Sequence, residues 1–178
     1  MITFCIDPGS DSGIAAFVNT QLLAARLFDG GEPDSAGLFV ARLYLEGDER
    51  FREESVEVLV EVPRYYPGRS QVDANDLIHL ACKAGRAAQA AKMLALSNTP
   101  ATVAYVAPSD WKAQTDPDIM CERVLAKLDD AERAVVEKVF AAHGKKGMPK
   151  SLRHNVLDAI GIGLWRVGRM RSGGAGRT

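Results

Sequence analysis

Three acidic residues stand at or near the ends of apolar segments in this chain, and they constrain how it can fold. Asp7 ends the apolar segment Ile2–Asp7, Glu61 ends a second apolar segment, and Asp158 lies in an apolar stretch near the C-terminus. Burying an ionised carboxylate costs several kcal/mol unless a positive charge compensates it. We therefore expect two neighbouring strands, a helix packed across their ends, and a cation among the three acids. Mg²⁺ or Mn²⁺ would suit, because hard ions prefer oxygen ligands.

The composition indicates a single globular domain, and the pattern of strands and helices given below assigns it to the α/β class. The 178 residues are 47% hydrophobic and 25% charged, which is enough apolar material for one core. We predict a domain over residues 1–170 and a flexible tail over residues 171–178. No stretch approaches the roughly 18 apolar residues of a membrane span, and no leader pattern opens the chain, so a cytoplasmic protein without membrane contact is expected. The odd number of distant cysteines, Cys5, Cys82 and Cys121, favours buried reduced thiols.

The charge is distributed unevenly along the chain. Residues 138–178 contain nine Lys and Arg and one acid, Asp158, a net of +8, whereas residues 1–137 carry 13 basic and 22 acidic residues, a net of −9. A basic end on an acidic chain indicates a polyanionic partner. The residues expected to contact it are Lys145, Lys146, Lys150 and Arg153. The last eight residues are expected to be a solvated tail.

Hydrophobic periodicity predicts a mixed sheet with helices on both faces. The predicted strands are residues 2–7, 14–18, 21–28, 56–62 and 102–106. The predicted helices are residues 34–45, 72–96, 152–169, and one or two helices within 117–143.

Four segments together resemble the motifs of RuvC-type Holliday junction resolvases, in the same order and at compatible spacing. They are residues 5–10 (CIDPGS) followed by Gly13, residues 60–63 (VEVP), residues 108–112 (PSDWK) and residues 155–163 (NVLDAIGIG). The resemblance implies a ribonuclease H-like mixed five-stranded sheet flanked by helices, a homodimer, and Mg²⁺-dependent cleavage of branched DNA.

Carried over by position, the resemblance makes Asp7, Glu61 and Asp158 metal ligands. The family's fourth ligand, an Asp or His three residues before the last Asp, corresponds to Asn155, and His154 is one residue earlier. Both positions lie beside Asp158 on a helix. We favour His154 as the fourth catalytic and metal-binding residue, because an imidazole can ligate a metal or exchange protons, with Asn155 as the alternative.

The acids suit a mechanism that uses two metal ions per site. Two divalent ions about 4 Å apart can activate a water and stabilise the departing oxygen, and no covalent nucleophile is needed. Gly9 and Gly13 are expected to keep the backbone beside Asp7 slim enough for a phosphate to approach, although ordinary hairpin geometry also explains them.

DNA contacts are expected around this centre. The loop after Glu61 carries Arg64, Tyr65, Tyr66 and Arg69, which could clamp phosphates and stack on bases, although either tyrosine could instead cap the core. Lys83 and Arg86 share a face of the long helix, where solvation is the default explanation. Lys112 is a candidate phosphate ligand, after a Trp expected to pack in the core.

The main hypothesis is a structure-selective endonuclease that resolves four-way DNA junctions by paired nicks. Flap or fork cleavage by the same fold is an alternative. An ATP-binding protein of the sugar-kinase and actin superfamily is disfavoured by the short chain, and a catalytically dead DNA-binding module is disfavoured by the three acids. Because a four-way junction is two-fold symmetric, a C₂ homodimer is expected, with the Ala-rich helix of residues 72–96 as the candidate interface.

Overall fold

A computed structural model of the chain describes residues 1–28, 55–63, 73–95, 101–113 and 115–170. Five strands are present in these ranges: β1 (Ile2–Asp7), β2 (Ser12–Val18), β3 (Gln21–Phe28), β4 (Val56–Glu61) and β5 (Ala101–Val106). The helices there are α1 (Ala74–Ala95), α2 (Pro108–Trp111), α3 (Pro117–Ala126), α4 (Asp130–Ala142) and α5 (Lys150–Arg166).

The strands form one mixed sheet in the order β3-β2-β1-β4-β5. The first three strands make an antiparallel meander, in which Asp7 is opposite Gly13. The strands β1, β4 and β5 are parallel, and Ile6 pairs with Val60. Parallel strands end at the same edge of a sheet, so the last residues of β1 and β4 are neighbours.

Side-chain alternation along the strands divides the core between the two faces of the sheet. Phe4 and Ile6 of β1 belong to a cluster that includes Ala84 and Ala88 of α1. Cys5, between them, belongs to the cluster on the other face, with residues of α3, α4 and α5. Strands buried on both faces read as continuous apolar runs, which explains the sequence of β1.

The predicted mixed five-stranded sheet with flanking helices is confirmed. The segment 117–143 forms two helices. The second begins at the N-cap Asp129, whose carboxylate accepts from the backbone N–H of Glu132 while the Glu132 side chain accepts from the N–H of Asp129. This reciprocal pair is a capping box, which starts a new helix.

One part of the cysteine prediction is wrong. All three cysteines are free, and Cys5 is buried, but Cys82 is exposed on α1 and Cys121 is only partly buried. Cys82 lies on the outer face of α1, whereas Ala84, Ala87 and Ala88 face the sheet. The Ala-rich composition around Cys82 therefore does not indicate burial.

The predicted helix at residues 34–45 and the predicted tail at residues 171–178 lie outside the described residues. The division into a domain over residues 1–170 and a tail stays a prediction. None of the helices in the described part of the chain has the length and apolar character needed to cross a membrane.

Candidate active site

Three elements bring the acids together at one edge of the sheet. Asp7 is the last residue of β1 and Glu61 the last residue of β4, and the two strands are paired in parallel. Asp158 is in the middle of α5, which packs on β1 and β2. The predicted arrangement of two neighbouring strands and a helix packed across them is therefore confirmed, and the shared metal site stays a prediction.

Gly13 allows α5 to approach the sheet closely. A Cβ atom on Gly13 would overlap the backbone carbonyl oxygen of Asn155, one turn before Asp158. Any side chain at Gly13 would push the helix away from β2, and Asp158 would move with it. This packing role was not predicted, and the predicted role of Gly13 in leaving room for a phosphate stays a prediction. Gly9 lies in the turn after Asp7, where an added Cβ would crowd the carbonyl oxygen of Asp11.

The ammonium group of Lys112 lies between two of the acids. Its Nζ donates to Asp158 Oδ2 at 2.6 Å and to Glu61 Oε1 at 3.4 Å. All three side chains are largely buried, with exposed fractions of 21% for Lys112, 15% for Asp158 and 12% for Glu61. The positive charge expected among the acids is thus supplied, in this structure, by a residue of the chain itself.

The preceding residue, Trp111, also contacts the site. Its Nε1 donates to Glu61 Oε2 at 2.8 Å, so the two oxygens of Glu61 have different partners. The ammonium of Lys112 lies 4.8 Å from the centre of the Trp111 ring, within the range of a cation–π interaction. The short helix α2 begins at Pro108, two residues after the end of β5. Trp111 is its last residue and Lys112 comes next. The prediction that Trp111 packs in the core is correct, but its contact with Glu61 was not foreseen.

Burial and neighbouring charges disfavour the ionised forms of Asp7 and Glu61 and raise the pKa of both carboxyls. Burial raises the pKa of Asp7 well above its usual range, and the charges of Glu61 and Asp158 raise it further, against the opposing effect of Lys112. Burial also raises the pKa of Glu61, although Lys112 and the indole hydrogen bond counteract it. For Lys112, burial alone would lower the pKa, but Asp158 and Glu61 together outweigh it and the pKa is raised. Lys112 therefore does not supply enough positive charge to offset the burial of Asp7 and the charges of the other two acids.

The raised pKa of Asp7 predicts how the stability of the metal-free protein depends on pH. Between the ordinary pKa of Asp and the raised pKa of Asp7, the folded state holds a proton that the unfolded state has lost, so the free energy of unfolding should fall as pH rises through that interval. Asp7→Asn cannot ionise and should be more stable than the parent at neutral pH, by about 0.5–2 kcal/mol. Urea unfolding in EDTA at several pH values measures the difference.

The matched control for this experiment is Glu137→Gln, an exposed acid on α4, which should leave the pH dependence unchanged. If the difference in stability between Asp7→Asn and the parent did not grow with pH, Asp7 would not be a destabilised carboxylate.

The donor chemistry of Asp7, Glu61 and Asp158 fits a hard divalent cation, since each offers carboxylate oxygens. Within the described ranges, however, no three His, Cys, Asp or Glu side chains are close enough to share one metal ion. Lys112 bridges Glu61 and Asp158 in this arrangement. Coordination by these acids therefore requires Lys112 to move away and the carboxylates to draw together.

The two candidates for a fourth ligand lie in different surroundings. His154 is half-buried in a groove between α3 and α5, whose other lining residues include Cys121, Ser151 and Leu157. The backbone of Asn155 lies against Gly13, on the side of α5 that faces the sheet. Asp158 raises the pKa of Cys121, after the larger effect of burial, so the groove lies near the acids.

The predicted DNA-binding residues are distributed over several places. Arg64, Tyr65, Tyr66 and Arg69 lie outside the described residues. Lys83 donates to the carbonyl oxygen of Gly9 at 3.4 Å, so it lies beside the turn that follows Asp7. Arg86 is exposed on the same helix, and Lys145 and Lys146 are exposed between α4 and α5.

Two other basic residues have partners within the protein. Lys150 Nζ donates to Asp118 Oδ2 at 3.1 Å in an exposed ion pair. Arg153 Nε donates to the carbonyl oxygen of Met148 at 3.0 Å, and its guanidinium lies 5.0 Å from the centre of the Phe140 ring. Part of the basic C-terminal charge is therefore used in contacts of α5 with its neighbours.

No protein-family model matches the chain, and no curated protein matches it. Among solved structures, the chain is similar to RuvC from T. thermophilus in complex with a Holliday junction substrate. The identity is 21%, the TM-score is 0.41, and the match covers 95% of this chain and 97% of the other. A second T. thermophilus RuvC structure matches with 20% identity and a TM-score of 0.39, covering 95% and 98% of the two chains.

The yeast mitochondrial Holliday junction resolvase Ydc2 is also similar. The identity is 14%, the TM-score is 0.49, and the match covers 94% of this chain and 79% of the other.

Proposed function

We propose that this chain is a metal-dependent, structure-selective endodeoxyribonuclease that resolves four-way DNA junctions. The observation that supports the proposal most directly is the meeting of Asp7, Glu61 and Asp158 at the end of two paired parallel strands. Structural ion pairs alone do not require three acids around one lysine, because two of the three negative charges would then lack a full counter-charge. A site that accepts additional cations accounts for the excess.

In the proposed reaction, Asp7, Glu61 and Asp158 would hold divalent ions, Mg²⁺ or Mn²⁺, with His154 or Asn155 as a fourth ligand. When bound, two such ions supply an activated water and charge stabilisation for the leaving oxygen. Lys112 would leave its ion pairs with Glu61 and Asp158 when the ions bind. Its free ammonium group would then bind the phosphate that is cut, because this phosphate is the nearest remaining anion. Trp111 keeps its hydrogen bond to Glu61.

Basic residues around the acids would hold the DNA. Lys83 lies at the Gly9 carbonyl, close to Asp7, and Lys145 and Lys146 are exposed before α5. The residues Arg64, Tyr65, Tyr66 and Arg69 follow Glu61 directly in the sequence and belong to the same proposed surface. Arg86 would extend it along α1, and Lys150 and Arg153 would extend it along the start of α5.

A homodimer would place two such sites across the two-fold axis of a junction. The small residues of α1 are divided between its faces: Ala84, Ala87 and Ala88 pack on the sheet. On the other side, no heavy atom of the described residues lies within 4 Å of a Cβ placed on Gly85, and Ile78 is 60% exposed. The outer face of α1 is the part of this helix that remains for a second subunit.

Cleavage of synthetic DNAs tests the proposed function. Four-way junctions, flaps, forks and plain duplexes of equal length are incubated with the protein, with Mg²⁺ and with EDTA. We expect Mg²⁺-dependent nicks at symmetric positions on two opposed strands of the junction and no cutting of the duplex. Cutting of flaps or forks alone would replace junction resolution by flap cleavage. No cut on any branched substrate would end the nuclease proposal.

The basic surface makes a prediction about salt. Neutralised phosphates release counterions, so the logarithm of the affinity should fall linearly with the logarithm of the salt concentration, and each lost contact should reduce the slope by about 1. Removing both charges with Lys145→Ala and Lys146→Ala should therefore reduce the slope by about 2. Fluorescence anisotropy with a labelled junction in EDTA measures the slope.

A double variant with the same loss of charge serves as the control. Arg26 and Lys138 line a groove between β3 and α4 that none of the three acids lines, so Arg26→Ala with Lys138→Ala should leave the slope near that of the parent. Equal slopes for the two double variants would mean that Lys145 and Lys146 are a solvated face, and the binding surface would lie elsewhere.

A further inference from the structure

Trp111 makes an unusual contact for a buried aromatic residue. It is only 7% exposed, and its indole N–H donates to Glu61 Oε2 at 2.8 Å. Buried indoles need an acceptor, and many acceptors would serve a purely structural Trp. Here the acceptor is one of the three acids of the candidate active site.

The opposite side of the indole contacts α5. A Cβ on Gly161 would overlap the Cζ3 atom of Trp111, so the ring occupies the space that a side chain at this position would fill. Gly161 follows Asp158 by three residues and therefore lies on nearly the same side of the helix. The indole is thus packed between the strand end that carries Glu61 and the helix that carries Asp158.

We propose that Trp111 is a positioning residue for the acidic centre, an inference that rests on the proposed function. Its N–H holds Oε2 of Glu61, which leaves Oε1 directed at the cation position that Lys112 now occupies at 3.4 Å. Its ring sets the separation between Glu61 and Asp158 through the contact with Gly161.

A neutral donor is suited to this role. A charged donor on Oε2 would reduce the negative charge available to a cation, whereas an indole N–H orients the carboxylate without carrying a full charge. Lys112 cannot do the same, because its shorter contact is with Asp158 and it must leave the acids when a metal binds. Partners that orient metal ligands in this way are worth about 10–100-fold in metal affinity or activity.

The first test is Trp111→Phe, which keeps an aromatic ring in the packed space and removes the N–H. We expect Mn²⁺ affinity, measured by calorimetry without DNA, to fall about 10–100-fold. With saturating metal, kcat on the junction should fall while KM for DNA stays near the parent value, because Trp111 is buried and offers little surface to DNA. Unchanged Mn²⁺ affinity in a folded variant would overturn the proposal.

Two glycines of α5 provide a matched pair for the ring contact. Gly161→Ala places a methyl group against Trp111, and Gly163→Ala places one against the ring of Phe17 on β2. Both substitutions overpack the same helix, so both should destabilise the protein. Only Gly161→Ala should weaken Mn²⁺ binding by more than about threefold, since only this change displaces the indole. Equal losses in the two variants would reduce Trp111 to a packing residue.

A spectroscopic measurement separates this inference from the proposed function. The protein has two tryptophans, Trp111 and Trp165, so Trp165→Phe assigns the indole N–H signals in a ¹⁵N correlation spectrum. The Trp111 signal should shift strongly in Glu61→Gln and only weakly in Glu57→Gln. If it shifts as expected but no branched DNA is cut, the contact stands and the nuclease proposal fails. If it does not shift, Trp111 does not hold Glu61.

Discussion

Asp7→Asn, Glu61→Gln and Asp158→Asn are each expected to reduce junction cleavage by at least about 10³-fold, which corresponds to about 4 kcal/mol of transition-state stabilisation. Each change removes one negative charge from the centre where the carboxylates meet and so weakens its hold on divalent ions. The same loss of charge reduces repulsion of the phosphate, so binding should stay equal or become tighter. Single-turnover cleavage in Mg²⁺ and anisotropy in EDTA measure the two effects separately.

Glu137→Gln removes an exposed acid of α4 and should cleave like the parent. An active Asp158→Asn protein would refute the centre as described, because Asp158 is one of the three acids proposed to hold the ions.

Two further alanine variants in the same series compare the candidates for the fourth ligand. His154→Ala is expected to lose more activity than Asn155→Ala, because an imidazole can exchange protons and an amide cannot. The reverse result would assign the fourth position to Asn155.

The sheet was the most predictable part of this protein. Continuous apolar runs such as Ile2–Asp7 indicate strands buried on both faces, and the structure confirms this strand and Gln21–Phe28 at the predicted limits. Helix ends were less predictable. The last helix begins at Lys150 rather than Leu152 and ends at Arg166 rather than Arg169. The break between α3 and α4 depends on a capping box at Asp129, a local hydrogen-bond pattern that periodicity does not detect.

The three acids were predictable because a charged side chain within or at the end of an apolar segment is costly unless a positive charge compensates it. Their partner was harder to identify. The sequence predicts a positive charge among Asp7, Glu61 and Asp158, but it does not distinguish a metal ion from a lysine as the source of that charge. Register would have helped: Glu61 is paired with Val106, so the residues just after β5 must lie beside the end of β4. Lys112 follows that strand by six residues.

The contact of Trp111 with Glu61 could not be read from composition. A Trp after a strand indicates packing, and the indole N–H adds one hydrogen bond whose acceptor depends on the tertiary arrangement. The basic residues present the opposite difficulty. Exposed lysines have no periodic signature, so Lys145, which is exposed, and Lys150, which pairs with Asp118, look alike in the sequence.

The C-terminal turn after α5 is held by a buried acid on α4. Glu132 is 2% exposed, and its two oxygens accept from Arg169 at 2.6 and 2.7 Å. The same carboxylate accepts from the backbone N–H of Leu22 on β3 at 2.8 Å, and Arg169 also donates to the backbone carbonyl of Lys127. One carboxylate thus joins the sheet edge, the start of α4 and the end of α5.

Glu132→Ala should lower the free energy of unfolding by about 3–5 kcal/mol, the cost of leaving one partner of a buried pair uncompensated. Glu57→Ala is the matched control, because Glu57 also pairs with an arginine, Arg166, at 2.8 Å. Arg166 is 43% exposed, so water can replace the lost partner and the cost should be about 1 kcal/mol or less. Urea unfolding of the two variants and the parent at neutral pH measures both values.

The contribution of Glu132 to the free energy of unfolding depends on pH, and the direction follows from its pKa. Burial alone would raise the pKa of Glu132, but the hydrogen bonds from Arg169, Leu22 and Asp129 outweigh it, and the pKa is lowered. A lowered pKa means that the folded state loses its proton more readily than the unfolded state. The stabilisation is therefore present above the unfolded pKa of about 4.3 and is lost as pH falls through the folded value. The stability difference between the parent and Glu132→Gln should shrink below about pH 4. A difference that stays constant from neutral to acid pH would show that the ionised carboxylate does not hold the C-terminal turn.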